Sequence, residues 1–540
     1  MQQNPSPDHQ ASTGEERAGD EYDAVVIGGA FSGAAFTTLL RRWLPASRVL
    51  IVEQSERFDR KVGEATVEVS GFFLHRVLRL ADHLAREHLS KHGLRFWLTD
   101  GRHRSLAEMT EVGARELPHV ASYQLDRAKL DQHLLEVAGS EGCEVMRPAR
   151  VIEVEHDWPR SHVRLDDGDG ERRVRARWVI DASGRRAFLA RRQRLLRRVE
   201  EHPTAAVWAR WTGVGDMDGT AVLGRDPRAG RLPQLLSARR LATNHFCGYG
   251  WWCWIIPLSG GETSIGMVYN KELFELPGTG SKQQRYQDFV TSQDGLRELL
   301  ADAVMVEGDC LSYNHLPYRS SRYAGRGWAL LGDAAAFLDP LYSAGLDHVT
   351  ISIYATARLV EQDLRAAGEE NPRAGLDDAV LDHHNRIFVT SYGRWLEALY
   401  LGKYELLGDA ELVTCAFLVD TALYYLAVVT SVYKDIETFG NPPFGIDKPQ
   451  AAIAHRIMRA FSRRLCKLAR MRRIAGTYGR RNAGAKIITP AFGLGSSSIA
   501  PLLRGIGMWL RLEAEHMFAR LRLGWPDVSR PVPLETEARP

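Results

Sequence analysis

The sequence predicts an α/β protein with a nucleotide-binding core and a helical last third. Two observations predict the core. An apolar strand, a glycine-rich turn and a helical pattern follow one another from Tyr22, and two later apolar strands each run into a turn that carries an aspartate. The third observation is apolar spacing near 3.6 residues after about residue 375, which predicts helices there.

Size and composition limit the classes of function. A chain of 540 residues is long enough for more than one lobe, and a net charge of +3 gives no sign of a nucleic-acid partner. Six scattered cysteines argue against a disulfide framework and against a metal site. Arginine far outnumbers lysine, which is typical of GC-rich bacterial genomes.

Both ends of the chain predict disordered tails. Residues 1–20 are polar and lack the apolar stretch of a signal peptide, so we expect a cytoplasmic protein. Residues 526–540 are rich in proline and predict the second tail. The apolar run Val413–Tyr433 is long enough to span a membrane, but Asp420 interrupts it, so we interpret it as a buried helix without a transmembrane span.

The first element is a nucleotide-binding unit. The strand Ala24–Ile27 leads into the pattern Gly28, Ala30, Gly33, in which alanine replaces the usual second glycine. A second strand ends at Glu53, where an acid binds a ribose hydroxyl. Strand, turn, helix, strand and terminal acid together predict a Rossmann-like ADP-binding unit. The alternative is a tight turn in an unrelated α/β protein.

Later motifs favour FAD over NAD as the nucleotide. A strand ends at Asp181, and a second strand ends at Gly332 and Asp333, as in hydroxylase-type flavoproteins, where such an aspartate holds the ribityl chain. Gln124 and Arg127 lie at a helix start similar to the flavin-contacting helix of that class. We therefore predict that all five residues contact the cofactor.

Three further motifs occur in one order along the chain. They are Gly63–Thr66 in "KVGEATVEVS", then "SKHGLRFWL", then W-x-W-x-I-P from Trp252 to Pro257. Together with the FAD motifs they resemble the flavin-dependent halogenases, the group that includes tryptophan and phenol halogenases. The resemblance covers residues 21–360.

The resemblance implies both architecture and reaction. It implies a glutathione-reductase-type FAD core with a β-rich substrate layer over residues 21–374, followed by a helical region over residues 375–525. Reduced FAD from a separate flavin reductase, O2 and chloride or bromide would give hypohalous acid, which then halogenates an electron-rich aromatic ring.

The tryptophan motif has a part in that reaction. In the family it lies beside the flavin and keeps the organic substrate away from it, so Trp252 and Trp254 are predicted gating residues. They lie on one face of a strand and Trp251 lies on the other. Large rings exclude substrate and water, although the same rings also occur as ordinary sheet core.

The resemblance also implies a catalytic lysine and a halide site. Lys91 matches the essential lysine of the family, and an amine holds hypohalous acid in a way that guanidinium does not. Ser343, Ala344 and Gly345 match the halide loop, where backbone N–H groups suit an anion. Asp347, one turn further on, is interpreted as structural.

One departure from the family concerns the acid–base residue. Free-tryptophan halogenases carry a glutamate where this sequence has Tyr342, which argues against free tryptophan and favours phenol- or pyrrole-type substrates. A base must then come from elsewhere. Glu108, Glu111 and Glu116 follow Lys91, and we select Glu111, with a solvated loop charge as the alternative.

The region 455–473 predicts a basic amphipathic helix, with Ile457, Phe461, Leu465 and Leu468 on one stripe. Three interpretations stay open: a docked helix with solvated arginines, a docking surface for an acidic carrier protein that presents the substrate, or contact with an anionic membrane.

The sequence thus predicts a bacterial, FAD-dependent halogenase of natural-product or antibiotic biosynthesis. Its partners would be a flavin reductase and a small or carrier-bound aromatic substrate. The alternatives are a flavin monooxygenase on the same fold and a flavin-binding protein without turnover.

Overall fold

The computed structural model describes residues 21–99, 104–219, 235–367, 375–446, 449–524 and 526–531. The predicted tail 1–20, most of the predicted tail 526–540 and the boundary predicted at residue 374 lie outside the described residues.

The described elements are numbered along the chain. The strands are β1 Glu21–Ile27, β2 Val49–Val52, β3 Leu89–Ser90, β4 Leu94–Leu98, β5 Thr110–Ala114, β6 Tyr123–Gln124, β7 Glu144–Met146, β8 Arg150–Glu155, β9 Ser161–Asp166, β10 Glu171–Asp181, β11 Leu196–Arg198, β12 Thr204–Thr212, β13 Thr243–Gly248, β14 Trp251–Pro257, β15 Thr263–Asn270, β16 Val304–Met305, β17 Leu311–Tyr313, β18 Tyr318–Ser320, β19 Ala324–Gly325, β20 Trp328–Leu330, β21 Ala336–Phe337 and β22 Lys486–Thr489. The α-helices are α1 Phe31–Trp43, α2 Glu68–Phe72, α3 Ala81–Glu87, α4 Arg127–Ser140, α5 Phe188–Arg192, α6 Lys282–Ser292, α7 Leu296–Leu299, α8 Gly345–Ala366, α9 Asp378–Trp395, α10 Ala410–Tyr424, α11 Thr430–Lys434, α12 Pro449–Ile474 and α13 Ile499–Leu523.

The first sheet carries the nucleotide motif. Its parallel centre has the order β20–β10–β1–β2–β7, and β8, β9 and β19 complete it in antiparallel pairing. Most of β1 and all of β2 are apolar and buried, as expected for strands that are covered on both faces. The predicted Rossmann-like core is therefore confirmed.

The second sheet is the β-rich layer that the resemblance implied. Nine strands are arranged as β16–β12–β15–β14–β13–β4–β5–β22, with β17 beside β12. Strand β14 places Trp252 and Trp254 in the main core between the sheets, whereas Trp251 joins a second core on the far face. The alternation expected of a strand is thus present.

The last third is mostly helical but adds one strand to the second sheet. Strand β22 is parallel to β5, and Ile487, Ile488 and Thr489 supply the β-branched residues that strands prefer. The region was predicted as helices alone, because a four-residue strand is too short to show a period. Since β22 extends the sheet of the core, residues 486–489 pack as part of it.

The apolar run forms α10 and α11 with a π-helical turn between them. Among the described residues, Ala410–Lys434 is the one helical segment long and apolar enough to cross a membrane, and 67% of its most apolar window is buried inside the protein. Buried core helices of globular proteins have the same length and apolar composition.

Helix α12 is the predicted basic helix. Leu465 and Leu468 are buried, as the stripe predicted, but Ile457 is 61% exposed. Arg459 pairs with Glu397 and Arg464 with Glu513. Acidic residues from other elements therefore neutralise part of a helix that has none of its own.

Candidate functional site

A cleft of about 550 Å3 lies where the strands of the first sheet end and the second sheet begins. From here on "the cleft" means this cavity. Its wall includes the predicted cofactor residues Gly28, Ala30, Glu53, Arg127 and Asp333. The carboxyl ends of parallel strands are where doubly wound sheets bind their ligands. Residues from four separate parts of the sequence are thus brought to one wall.

The glycine turn is shaped by close backbone contacts. Gly28 has φ +102°, and a Cβ there would lie 2.7 Å from the carbonyl oxygen of Ala182. A Cβ on Gly33 would lie 1.9 Å from the carbonyl oxygen of Gly28, so Gly33 lets α1 pack against the turn. Glu53 accepts a hydrogen bond from the Gly29 N–H at 2.7 Å, which ties the terminal acid of β2 to the turn.

The polar groups of the cleft fit a dinucleotide. Asp333 lines the cleft and no described residue donates a hydrogen bond to its carboxylate. Burial raises its pKa, and Arg127 and Arg185 oppose that rise. Nε2 of His245 is buried without a partner among the described residues, and His245 also lines the cleft. A ligand with hydroxyl and ring-nitrogen groups would satisfy such atoms.

The tryptophan pair forms one wall of the cleft and is held by hydrogen bonds. The indole N–H of Trp252 donates to the Tyr404 hydroxyl at 3.0 Å, and Tyr404 donates to Asp339 at 2.9 Å. The indole N–H of Trp254 donates to Ser264 at 3.1 Å. Because both rings are buried and tethered, they form a rigid wall.

A second cavity, here called the chamber, has a volume of about 100 Å3. Apolar cavities of roughly 150 Å3 take up benzene, so its size suits a single ring. Lys91 lines it, with Glu68 from α2 and Asp420 from α10. The rest of the wall is largely apolar and aromatic, including Leu399, Phe417 and Phe492.

Lys91 is 2% exposed, and its ammonium group donates to the Thr66 carbonyl at 2.7 Å. Burial lowers the pKa of Lys91 to about 7, although Glu68 and Asp347 act to raise it. Burial likewise raises the pKa of Glu68 and raises that of Asp347 to about 7. Groups with pKa values shifted in this way beside a cavity are candidates for a functional site.

Asp347 also ties elements together. It accepts hydrogen bonds from the Ser70 N–H at 2.8 Å and from the Tyr424 hydroxyl at 2.6 Å. Because these bonds join α8 to α2 and α10, Asp347 supports the chamber from behind, in line with the structural part that the sequence suggested.

The loop 342–345 separates the two cavities. Tyr342 and Ala344 line the chamber, whereas Ser343 and Gly345 line the cleft. Tyr342 and Ser343 both have positive φ, at +68° and +60°. Such strain in non-glycine residues is concentrated at functional sites. Helix α8 begins at Gly345, so its first N–H groups have no partner within the helix.

Four predicted cofactor residues do not line the cleft: Gly33, whose packing against the turn is given above, and three others. Asp181 accepts hydrogen bonds from Ser183 and the Leu189 N–H within its own turn. Gln124 donates its side-chain amide to Thr243. Gly332 packs against Ser32, where a Cβ would lie 2.8 Å from the hydroxyl. These residues shape the cleft from behind. Their sequence motifs do not distinguish a residue that lines the cleft from one that only supports its wall.

Glu111 is also not where the sequence prediction required it. It lies on β5 away from the chamber, and both carboxylate oxygens are held by guanidinium groups, Arg95 at 2.5 Å and Arg239 at 2.8 Å. All three are buried. The Glu111 carboxylate therefore belongs to a buried structural ion pair. This corrects the prediction that Glu111 is the catalytic base.

Two carboxylates that the fold brings to the chamber, Glu68 and Asp420, were not among the residues predicted from the sequence. Glu68 stands within the motif that carried the resemblance, four residues after Glu64. Asp420 was noticed only as an interruption of an apolar run. A lone acid among apolar residues is itself a signal, because an unpaired buried carboxylate is costly.

The fold and these two cavities define a class, the FAD-binding flavoproteins with a second, substrate-sized chamber. The family model described as tryptophan halogenase matches residues 98–369, just over half of the chain. The chain therefore belongs to the flavin-dependent halogenases, which are oxidoreductases that use FAD.

Several relatives carry the same activity. The chain is 25% identical to flavin-dependent halogenase chlA of Dictyostelium discoideum, over 72% of each protein. It is 24% identical to monodechloroaminopyrrolnitrin halogenase PrnC of Pseudomonas fluorescens, over 74% of each. It is 25% identical to the 1H-pyrrole-2-carbonyl-[peptidyl-carrier protein] chlorinase of the same species, over 71% of this chain and 83% of that one.

Solved structures share the fold. Halogenase PltM superposes with a TM-score of 0.68 at 20% identity, covering 92% of this chain and 96% of that one. Its complex with phloroglucinol and FAD gives a TM-score of 0.67 at 19% identity, covering 94% and 99%.

Proposed function

We propose that this halogenase uses reduced FAD, O2 and chloride or bromide to halogenate a phenol-type ring by way of hypohalous acid. The observation that carries the proposal is the arrangement of two cavities on opposite sides of loop 342–345, with Lys91 buried in the smaller one. A reactive halogen formed in the cleft would pass this loop to reach Lys91.

In this proposal the cleft holds the cofactor and the halide. Glu53, Arg127 and Asp333 hold FAD, and the N–H groups at Ala344 and Gly345 hold the halide at the start of α8. When bound, reduced FAD supplies the two electrons that, with O2, convert halide to hypohalous acid. Trp252 and Trp254 keep the organic ring out of the cleft, which separates halogenation from hydroxylation.

Lys91 holds hypohalous acid at the chamber. With a pKa of about 7, a large fraction of its amine is neutral at physiological pH, so it can accept a hydrogen bond or form a haloamine. Glu68, an electrostatic neighbour of Lys91, takes the ring proton after the carbon–halogen bond forms. This gives Glu68 the part that the sequence analysis had assigned to Glu111.

The substrate class follows from the chamber wall. Tyr342 stands where free-tryptophan halogenases carry a glutamate, and its ring packs edge-on to Phe96. The chamber has the size of one ring rather than of an amino acid with its charged groups. A phenol activates its own ring by its hydroxyl, so a simple phenol is the substrate that we propose.

The first test uses no special substrate. The holoenzyme with reduced FAD is mixed with oxygenated buffer and monochlorodimedone, a trap for hypohalous acid, with and without bromide or chloride. Halide-dependent loss of the trap supports the proposal. Flavin oxidation that ignores halide, with oxygen inserted into an added phenol, would favour the monooxygenase alternative.

A separate reductase is part of the proposal, because the fold that we describe supplies one dinucleotide cleft and the sequence shows no second nicotinamide fingerprint. Chemically reduced FAD should replace the reductase completely in the trap assay. Dependence on direct contact with a reductase would contradict this view.

A carrier-bound ring is the second form of substrate, and a surface beside the chamber favours it. Ala491 and Phe492 line the chamber just before α13, and Leu117 at the same wall is 47% exposed. The exposed positions of α13 are apolar residues, glycine or arginine, without an acidic residue. Such a face complements an acidic carrier protein.

The test compares one ring in free and carrier-bound form. Arg504→Glu combined with Arg522→Glu should raise KM for the carrier-bound ring at least about tenfold and leave the free ring unaffected. If the wild type and the double variant have the same KM for the carrier-bound ring, the proposed carrier-docking surface is contradicted.

A cytoplasmic location remains part of the proposal and is tested by fractionation of the producing cell.

A further inference from the structure

We propose that Asp420, supported by Lys403, binds and deprotonates the hydroxyl group of the aromatic substrate and so selects phenols over other rings. This inference rests on the proposed function and deepens it, because it names the group that recognises the substrate.

The first observation is the cost of placing Asp420 where it is. It lies on α10 among apolar residues and is 4% exposed. Its Oδ2 accepts a hydrogen bond from the Lys403 ammonium group at 2.7 Å, and Lys403 is 1% exposed. A buried ion pair stabilises a fold little compared with apolar residues of the same volume. Its presence beside a cavity points to a chemical use.

The second observation is that the pair is only half satisfied. Tyr342 donates its hydroxyl to the same Oδ2 at 3.4 Å, and no described residue donates to Oδ1. Asp420 lines the chamber, so Oδ1 is available to a molecule within it. A donor on that molecule completes the carboxylate, and a phenol hydroxyl is such a donor.

The third observation is the division of the chamber between two carboxylates. The charged neighbours of Lys91 are Glu68 and Asp347, whereas the charged neighbour of Asp420 is Lys403. In the proposed binding mode the ring places its hydroxyl on Asp420 and presents a different edge to Lys91 and Glu68, which line the same chamber. The halogen arrives at that second edge.

The chemistry balances with these groups. As the carbon–halogen bond forms and the oxygen–halogen bond of hypohalous acid breaks, the phenol proton moves to Asp420. The resulting dienone loses its ring proton to Glu68 and recovers the hydroxyl proton from Asp420. The proton on Glu68 converts the released hydroxide to water. Phenol and hypohalous acid thus give halophenol and water, and every protein group returns to its starting state.

Burial raises the pKa of Asp420, and Lys403 opposes that rise by pairing with the ionised form. The Lys403 ammonium group, 2.7 Å from Oδ2, favours the ionised carboxylate, which is the form that accepts a proton. Tyr342 shares the same oxygen, which explains why a tyrosine rather than a glutamate suits this position.

The test compares a phenol with its methyl ether. For the wild-type holoenzyme with oxidised FAD we expect calorimetry to show at least tenfold tighter binding of the phenol, and for Asp420→Asn we expect this preference to fall below twofold. Turnover of the phenol by Asp420→Asn should fall at least 100-fold, while halide-dependent loss of monochlorodimedone stays at the wild-type rate. Asp382→Asn, an exposed acid on α9, is the matched control and should change neither quantity.

The outcomes separate the two proposals. A wild-type enzyme without halide-dependent loss of the trap contradicts the proposed function, whereas the binding comparison still tests Asp420. Retention of the phenol preference by Asp420→Asn overturns the inference. If Asp420→Asn does not fold because Lys403 is left unpaired, the double variant Asp420→Asn/Lys403→Met removes both charges, and the same two outcomes apply.

Discussion

The cleft and the chamber lie on opposite sides of loop 342–345, but they are assembled in different ways. The predicted cofactor residues on the cleft wall lie at strand ends, in the turns that follow them or at a helix start, so each of them belongs to a short motif. The chamber is built from residues as distant in sequence as Lys91, Asp420 and Phe492. No short sequence motif contains any two of these three residues. The predicted part of the cleft wall is thus encoded locally, and the chamber wall depends on long-range packing.

If the two regions are separable, a change in one should leave the other intact. The largest expected effect is at the chamber. Lys91→Met should lower halogenated product at least about 100-fold, the scale on which a positioned catalytic group acts, because methionine fills the space without an amine. Product is measured by mass spectrometry. The affinity for FAD, measured by flavin fluorescence, should not change.

The control is Lys129→Met, an exposed lysine paired with Glu87. It should behave as the wild type. Wild-type product from Lys91→Met would show that the chamber lysine is only a packing residue.

The next effect belongs to the cleft. Gly28→Ala should weaken FAD binding about tenfold or more, because a left-handed backbone costs an alanine about 1–3 kcal/mol and its Cβ meets the Ala182 carbonyl. A fluorescence titration measures the affinity. Gly139→Ala, where a Cβ meets no atom within 4 Å, should bind FAD normally. Normal affinity in both variants would mean that the turn does not approach the cofactor.

A third, smaller effect sharpens the comparison through pH. The amine of Lys91 is protonated below its pKa of about 7 and neutral above it, so product formation should rise about tenfold per pH unit up to about pH 7 and then level off. The formation of hypohalous acid in the cleft is measured as halide-dependent loss of monochlorodimedone between pH 6 and 8.5. Its pH profile should lack the rising limb below pH 7. An identical limb in both assays would assign the titration to the cleft.

The smallest effect on catalysis is expected at Glu111. Glu111→Gln should leave product per folded enzyme unchanged but lower the free energy of unfolding by about 3 kcal/mol, because two buried guanidinium groups lose their carboxylate. Urea denaturation measures the stability, and Glu171→Gln, an exposed partner of Arg164, is the control. A specific loss of product with normal stability would restore Glu111 as a base.

Much of the site could be predicted from sequence, and the failures share a cause. Gly28, Glu53, Arg127 and Asp333 lie together on the cleft wall. A strand followed by a turn determines where its end residue points, and the contact of these residues with FAD stays a prediction. Asp181 has the same local signature as Asp333, yet its carboxylate turns back to its own loop. Two motifs of the same kind can therefore differ in whether the aspartate carboxylate points into the cleft or back into its own loop.

What the sequence determined by itself is the nucleotide-binding core, the alternation of the tryptophans on β14 and the family, since each depends on motifs whose own residues lie within a few positions of one another. Only the tertiary structure decided which carboxylates line the chamber. Glu68 and Asp420 face the chamber and Glu111 faces two arginines because α2, α10 and β5 pack from distant parts of the chain. The physical reason is that side-chain environment, unlike strand or helix periodicity, is set by contacts between elements, and no spacing along one element records them.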